Sequence, residues 1–118
     1  MRKGCLDLPS NIREALRQFL AAAMNILGPD TRIYLFGSFA RGDWLVDSDV
    51  DLIVVSPGLK DIPWHERYPV LRKLLPPSIS VEILAYTPGE FETVRRRSAV
   101  LRDAEKYWVE LTSGKLEC

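Results

Sequence analysis

Histidine and cysteine are nearly missing from this 118-residue chain, which has one histidine, His65, and two cysteines, Cys5 and Cys118, near opposite ends. A single imidazole cannot anchor a histidine zinc site, and two remote thiols make neither a CxxC clip nor a disulfide framework, so free thiols are expected. His65, between Trp64 and Glu66, reads as a surface or partly packed residue and not as a general base. Charge of one sign is equally lacking. Sixteen Lys plus Arg balance sixteen Asp plus Glu, which removes the basic excess that releases counterions from a phosphate backbone, so a nucleic-acid partner is not expected. No apolar run approaches the roughly 20 residues of a membrane span, and residues 1–5 lead into Asp7 and Pro9 instead of a signal-peptide core. A cytoplasmic protein without a membrane partner is expected.

What is present, 47% hydrophobic and 27% charged residues without repeats or low-complexity tracts, is the composition of one globular domain over residues 1–118. Ile12, Ala15, Leu16, Phe19, Leu20, Ala23 and Leu27 make an i, i+3, i+4, i+7 stripe that predicts a helix over 10–27, with Ser10 as N-cap and Gly28 as its stop. Turn-bounded runs rich in β-formers predict strands over about 31–36, 49–55, 79–86 and 107–111. Residues 37–48 carry Gly, Ser and Asp without a period and read as a loop with room for one helical turn. Trp64, Tyr68, Leu71 and Leu75 share a helical face, with Pro69 kinking that helix or opening its second half before Pro76 and Pro77 end it. Thr87 and Pro88 cap and open another helix through about Arg97. Residues 100–106 are helix-compatible, and 112–118 read as a frayed tail. This order predicts an α/β (α+β) domain with a small mixed β-sheet and flanking helices.

The informative stretch lies between the first two strands. Four aspartates, Asp43, Asp47, Asp49 and Asp51, fall within nine residues with no basic residue among them, and carboxylates that close repel unless they find partners. Because side chains alternate along a strand, Asp49 and Asp51 point to one face with Cα atoms about 6.5–7 Å apart, so both reach one ion. Oxygen ligands without imidazole or thiolate suit a hard cation, Mg²⁺ or Mn²⁺, which completes its shell with water and substrate phosphates. The pair also opens the apolar run Leu52-Ile53-Val54-Val55, a place that does not hold two charges without a reason. Ahead of it, Gly37 and Ser38 end the first strand, where a residue without Cβ lets backbone N–H groups approach a phosphate and a hydroxyl can add a donor.

Gly37-Ser38-x-Ala40-Arg41-Gly42 followed by Ser48-Asp49-x-Asp51 resembles the signature of minimal nucleotidyltransferases in the DNA polymerase beta superfamily. Eight positions are specified at fixed spacing, and by near-equal residue usage a chance match is on the order of 10⁻¹⁰ per register. The resemblance implies the nucleotidyltransferase fold and a third carboxylate on a neighbouring strand, for which Glu82 in Ser80-Val81-Glu82-Ile83-Leu84 is the candidate. Many members carry Asp there, so the longer Glu side chain bears on the geometry of the first metal. On this reading Asp49, Asp51 and Glu82 are the catalytic and metal-holding residues, and Gly37, Ser38 and Arg41 meet the nucleotide. For Arg41 the residues leave two roles open, holding the motif loop or touching phosphate.

The resemblance further implies Mg²⁺-dependent transfer of a nucleoside monophosphate, AMP from ATP, to a hydroxyl acceptor. Stand-alone members of this family are commonly paired with a HEPN-domain protein as antitoxin and toxin, and some transfer AMP to a tyrosine of that partner. A small all-helical partner that brings the acceptor is therefore expected, and homo-oligomerisation is left open. The alternatives are a non-catalytic module that keeps the nucleotide pocket or the partner surface, and a small-molecule adenylyltransferase. A haloacid-dehalogenase phosphatase fits poorly, since its Asp-x-Asp ends a strand and this one begins it. Asp47 is expected to pair with Arg41, Arg95, Arg96 and Arg97 to form a solvated helical face, and Trp44 either to stack a base or a partner or to pack across the loop.

Overall fold

The computed structural model describes residues 6–116; Cys5 and Cys118, and with them the expected free thiols, lie outside the described residues. The elements in chain order are α1 (Ser10–Leu27), β1 (Arg32–Phe36), α2 (Gly37–Arg41), β2 (Val50–Val55), α3 (Trp64–Arg72), β3 (Val81–Tyr86), α4 (Pro88–Arg97), α5 (Ala99–Ala104) and β4 (Val109–Glu110). The four strands form one mixed sheet in the order β3-β2-β1-β4. β1 runs antiparallel to β2 and β4, and β2 runs parallel to β3. This is the mixed α/β architecture expected from the sequence. Among the described residues no helix is long and apolar enough to cross a membrane.

Both faces of the sheet are covered, which is why the central strands are apolar at consecutive positions. Ile33, Leu35, Leu52, Val54, Ile83 and Ala85 face the buried stripe of α1, including Leu16, Phe19 and Ala23. Tyr34, Phe36, Ile53, Val55 and Tyr86 form the opposite face and pack against Phe91, Leu101 and Ala104 of α4 and α5. Each fully buried Leu, Ile or Phe on these faces contributes roughly 1.5–3 kcal/mol from removal of apolar surface from water.

Several expectations from the sequence need correction. Pro9, not Ser10, is the N-cap of α1, and no side chain caps that end; proline's φ suits the entry, and Ser10 is already helical. Gly28, at φ 105°, does end α1. The third strand begins at Val81 and the fourth shrinks to Val109–Glu110, because the amides of Tyr107 and Trp108 both donate to Ala104 O at the end of α5, at 3.0 and 2.8 Å. The tail is not frayed as far as it is described: Leu116 is buried, and Arg13 and Arg17 donate to its carbonyl at 3.0 and 3.2 Å.

The largest correction concerns α3. Trp64 and Tyr68 are 60% and 44% exposed, while the buried positions are Leu71 and the charged Arg67, only 6% exposed. Arg67 is placed there by its five N–H groups. It donates to Ile62 O at 3.0 Å, to Ala85 O at 3.3 Å, and to both carboxylate oxygens of Glu90 at 2.6 and 3.4 Å. Trp64 covers the guanidinium at 5.1 Å from its ring centre. Glu90 is also the reciprocal partner of Thr87 in the capping box of α4, so one carboxylate joins α3, β3 and α4.

Arg67 holds the Glu90 carboxyl below the ordinary carboxylate range. A depressed carboxylate stabilises the fold above its unfolded pKa and loses that contribution as pH falls through its folded one. Glu90→Gln keeps the capping geometry but leaves the buried guanidinium without its anion. It is expected to cost about 2 kcal/mol at pH 7, a drop of roughly 8–16 °C in melting temperature. The deficit should shrink as pH falls below the usual carboxylate range and close only below the depressed folded value, where wild-type Glu90 is itself protonated. Thermal melts at pH 7 and pH 3 check both parts.

Candidate active site

The sheet ends in an acidic cleft because of how β1, β2 and β3 are registered. Phe36 lies opposite Asp51 across the antiparallel β1–β2 pair, and Glu82 lies beside Asp51 across the parallel β2–β3 pair. Asp49 immediately precedes β2, and its carboxylate accepts a hydrogen bond from the Ser80 hydroxyl at the mouth of β3. The three acids sit at one end of two adjacent strands, with Asp51 and Glu82 on the side of the sheet that α4 and α5 cover.

Gly37 is required here for two separate reasons. Its φ of 73° is a left-handed conformation that favours glycine, and a Cβ at this position would overlap Asp51 Oδ2. The turn that opens α2 is therefore pressed directly against the carboxylate. Ser38 and Arg41 follow in the single turn of α2, which Gly42 closes at φ 89°. Together these residues border an open cleft of about 560 Å³ lined by Gly37, Ser38, Arg41, Asp49, Asp51 and Glu82.

Crowding of like charges sets the electrostatics. Burial raises the Asp51 carboxyl from 3.8 to about 6, and the neighbouring Glu82 and Asp49 add to the rise while Arg41 opposes it. Such a cluster wants a cation, and its donors are oxygens alone. Among the described residues no three Asp, Glu, His or Cys side chains converge into a ready cage. The set therefore fits a hydrated hard cation that takes a few carboxylates and fills its shell from water and ligand, and does not fit a structural zinc centre.

The structure thus brings all six sequence-predicted residues to one cleft. It also shows three that sequence reasoning missed: Val100, Asp103 and Tyr107 line the opposite wall from α5 and the turn after it. Their i, i+3, i+7 spacing marks a common helical face, but no motif distinguished it from an ordinary solvated one. Ser80, the partner of Asp49, carried no signal at all. Arg41 pairs with Asp43 at 3.2 Å and not with Asp47; the shorter loop step wins. Trp44 packs across the loop, stacked on Phe39 with ring centres 5.4 Å apart. His65 is exposed beside Glu66, away from the cleft. In the arginine run, Arg95 pairs with Glu92 and Glu105 and covers Phe91 and Trp108, so it belongs to the packing of α4 on α5 and not to a purely solvated face.

Comparison with known proteins agrees with this geometry. The family model described as "Nucleotidyltransferase domain" matches residues 10–107. Among solved structures, a candidate nucleotidyltransferase from Sulfolobus solfataricus is 24% identical, with a TM-score of 0.50, 88% of this chain and 87% of that chain being covered. A toxin–antitoxin structure with AMP-PNP is 23% identical, with a TM-score of 0.50, over 79% of this chain and 69% of that one. At these identities the two structures speak for the fold. No curated protein gives a significant match.

A raised carboxyl pKa is a penalty on the folded state, fully present above the folded value and absent below the unfolded one. In metal-free buffer, Asp51→Asn is therefore expected to stabilise the protein at pH 7.5 by about 1 kcal/mol after allowance for solvent screening. That is a rise of roughly 4–8 °C in melting temperature. The gain should vanish at pH 3.5, where wild-type Asp51 is neutral. A loss of stability at both pH values would assign Asp51 to a structural network instead.

Proposed function

This chain belongs to the nucleotidyltransferase domain family, and from that premise we propose that it transfers a nucleoside monophosphate, AMP from ATP, to a hydroxyl on a protein partner. The observation that carries the reading is the in-register pair Asp51 and Glu82, with Asp49 beside them and the Gly37–Ser38 turn pressed against Asp51. Carboxylates at the cleft end of two strands, next to a glycine turn, support a reading in which metal ligands and phosphate donors would serve one substrate.

Each residue then has a definable task. Gly37 leaves the strand-ending turn open for the triphosphate to lie against the backbone, and Ser38 adds a hydroxyl donor. Arg41 supplies positive charge on the cleft wall. Asp49, kept in orientation by Ser80, and Asp51 would hold a divalent cation with Glu82 as the third ligand. Mg²⁺ or Mn²⁺ held there would supply Lewis acidity towards the acceptor hydroxyl and would offset charge on the leaving pyrophosphate. Asp51 ionises most readily when a cation offsets Glu82 and Asp49, so nucleotide, cation and carboxylate charge are coupled. No protein nucleophile is needed, and the cleft lining contains no Ser-His or Cys-His pair.

The toxin–antitoxin structure holds AMP-PNP, and this supports a biological setting in which the chain is the antitoxin and its acceptor lies on a small all-helical HEPN-type toxin. A tyrosine hydroxyl of that partner is the proposed acceptor. In this setting the protein acts as a single catalytic domain whose acceptor is delivered by the partner.

Calorimetry checks the coupling first: ATP should bind with Mg²⁺ and bind much more weakly in EDTA, because the acidic cleft repels an uncompensated triphosphate. Incubated with labelled ATP, Mg²⁺ and the protein encoded next to it, the chain should label that neighbour. Asp49→Asn and Glu82→Gln should reduce labelling by several orders of magnitude while the complex persists on a sizing column. Equal ATP binding with and without Mg²⁺ removes the metal reading. A wild-type complex that forms but is never labelled leaves a non-catalytic binding module.

A further inference from the structure

The charged lining of the cleft is acidic except at one point. Asp49, Asp51, Glu82 and Asp103 border it, and among the described residues that do so Arg41 alone is basic. A triphosphate adds further negative charge, so the direction in which this one guanidinium points weighs heavily in the local balance. Two neighbours hold it from different nitrogens. Asp43, on the exposed loop, takes Nε at 3.2 Å. Tyr107, 66 residues further along the chain, accepts from Nη1 at 3.1 Å, with the guanidinium carbon 5.2 Å from the centre of its ring.

We infer that Tyr107 is a positioning residue for the nucleotide: it holds the Arg41 guanidinium on the cleft wall, against the pull of Asp43, so that it meets the triphosphate. The inference rests on the nucleotidyltransferase reading above and adds to it a residue outside the family motif. Tyr107 is itself fixed. The turn after α5 is tied by the two amides that donate to Ala104 O. The next residue, Trp108, anchors it, with ring centres 4.7 Å from Tyr34 and 5.8 Å from Phe91. A side chain on such a turn loses little entropy on meeting Arg41, whereas the Asp43 carboxylate sits on a solvated loop where an ion pair contributes little. The phenol oxygen accepts from Arg41, so its own hydrogen remains to be donated towards a phosphate oxygen.

The test is a double-mutant cycle read by calorimetry on the whole chain, with MgATP and, as a phosphate-only probe, magnesium tripolyphosphate. Tyr107→Phe keeps the ring and its packing, and is expected to weaken both ligands about 5- to 10-fold while the melting temperature stays within a few degrees. Arg41→Lys, which keeps the charge but loses the fork that spans Asp43 and Tyr107, should lose about as much. In an Arg41→Met background the Tyr107→Phe substitution should change affinity less than about twofold, because the group it positions is gone. No loss in Tyr107→Phe, or equal losses in both backgrounds, overturns the inference and leaves nucleotide binding standing. A wild-type chain that binds neither ligand overturns the nucleotidyltransferase reading and the inference with it.

Discussion

Two carboxylates side by side on adjacent strands are the constraint from which the rest of this structure can be understood. Directly paired like charges in a sheet are destabilising, and Asp51 and Glu82 are such a pair. The strand of Asp51, β2, is the worst place in the protein for charge: Leu52, Ile53 and Val54 are completely buried and Val50 is nearly so. The position is tolerable only because Asp51 lies at the strand's open end, half-buried, with its carboxylate against Gly37 and the cleft. One residue further into the strand the side chain would face the closed core, where an unpaired charge costs several kcal/mol.

The remainder of the fold offsets that local cost, and it does so most visibly around β3. This strand carries Glu82 and is a sheet edge, so its outward carbonyls are open to pairing with another chain. α3 closes them with side chains, Tyr68 donating to Val81 O and Arg67 to Ala85 O. Glu90 then binds Arg67 from α4. The edge is thus held by one buried cation and a hydroxyl. That arrangement fixes the register between β2 and β3 on which the spacing of Asp51 and Glu82 depends, because a slip of one residue would turn Glu82 to the other face of the sheet.

Features set by local chemistry were legible in the sequence, and features set by distant pairing were not. The stripe of α1, the stop at Gly28, the capping of α4 by Thr87 and the two central strands each follow from a periodicity or a turn residue within a few positions. Five of the six cleft residues were legible because their types sit at short, fixed spacing around one turn, and Glu82 because the resemblance asks for a third carboxylate and an acid inside an apolar strand is rare. Arg67 was missed because nothing in residues 64–72 announces that Glu90, Ile62 O and Ala85 O will converge there; the helix was read from Trp64, Tyr68, Leu71 and Leu75, of which the two leucines are buried and the two aromatics largely exposed. Tyr107 was taken as a strand residue, since its β-propensity says nothing about the carbonyl of Ala104 that captures its amide. For Arg67 partners up to 23 residues away, and for Tyr107 the local turn that closes α5, outweighed a propensity worth a few tenths of a kcal/mol.

Gly37 joins these strands of argument. Antiparallel pairing puts Phe36 opposite Asp51, so the next residue must pass over the carboxylate, and only a residue without Cβ can do so in a left-handed conformation. The turn that would receive phosphate and the carboxylate that would receive metal are consequently one packed unit. Neither can move without the other, which is the preorganisation a transfer reaction needs when its charges develop between the two. Opposite them, the wall of Val100, Asp103 and Tyr107 belongs to a separate element that touches the motif through Arg41. The cleft therefore has one side fixed by sheet register, and a facing side that packs on the sheet through Leu101 and Ala104 and meets the motif through the Arg41–Tyr107 contact. Changes at the second side can move the Arg41 guanidinium without altering the strand register that sets Asp51 beside Glu82.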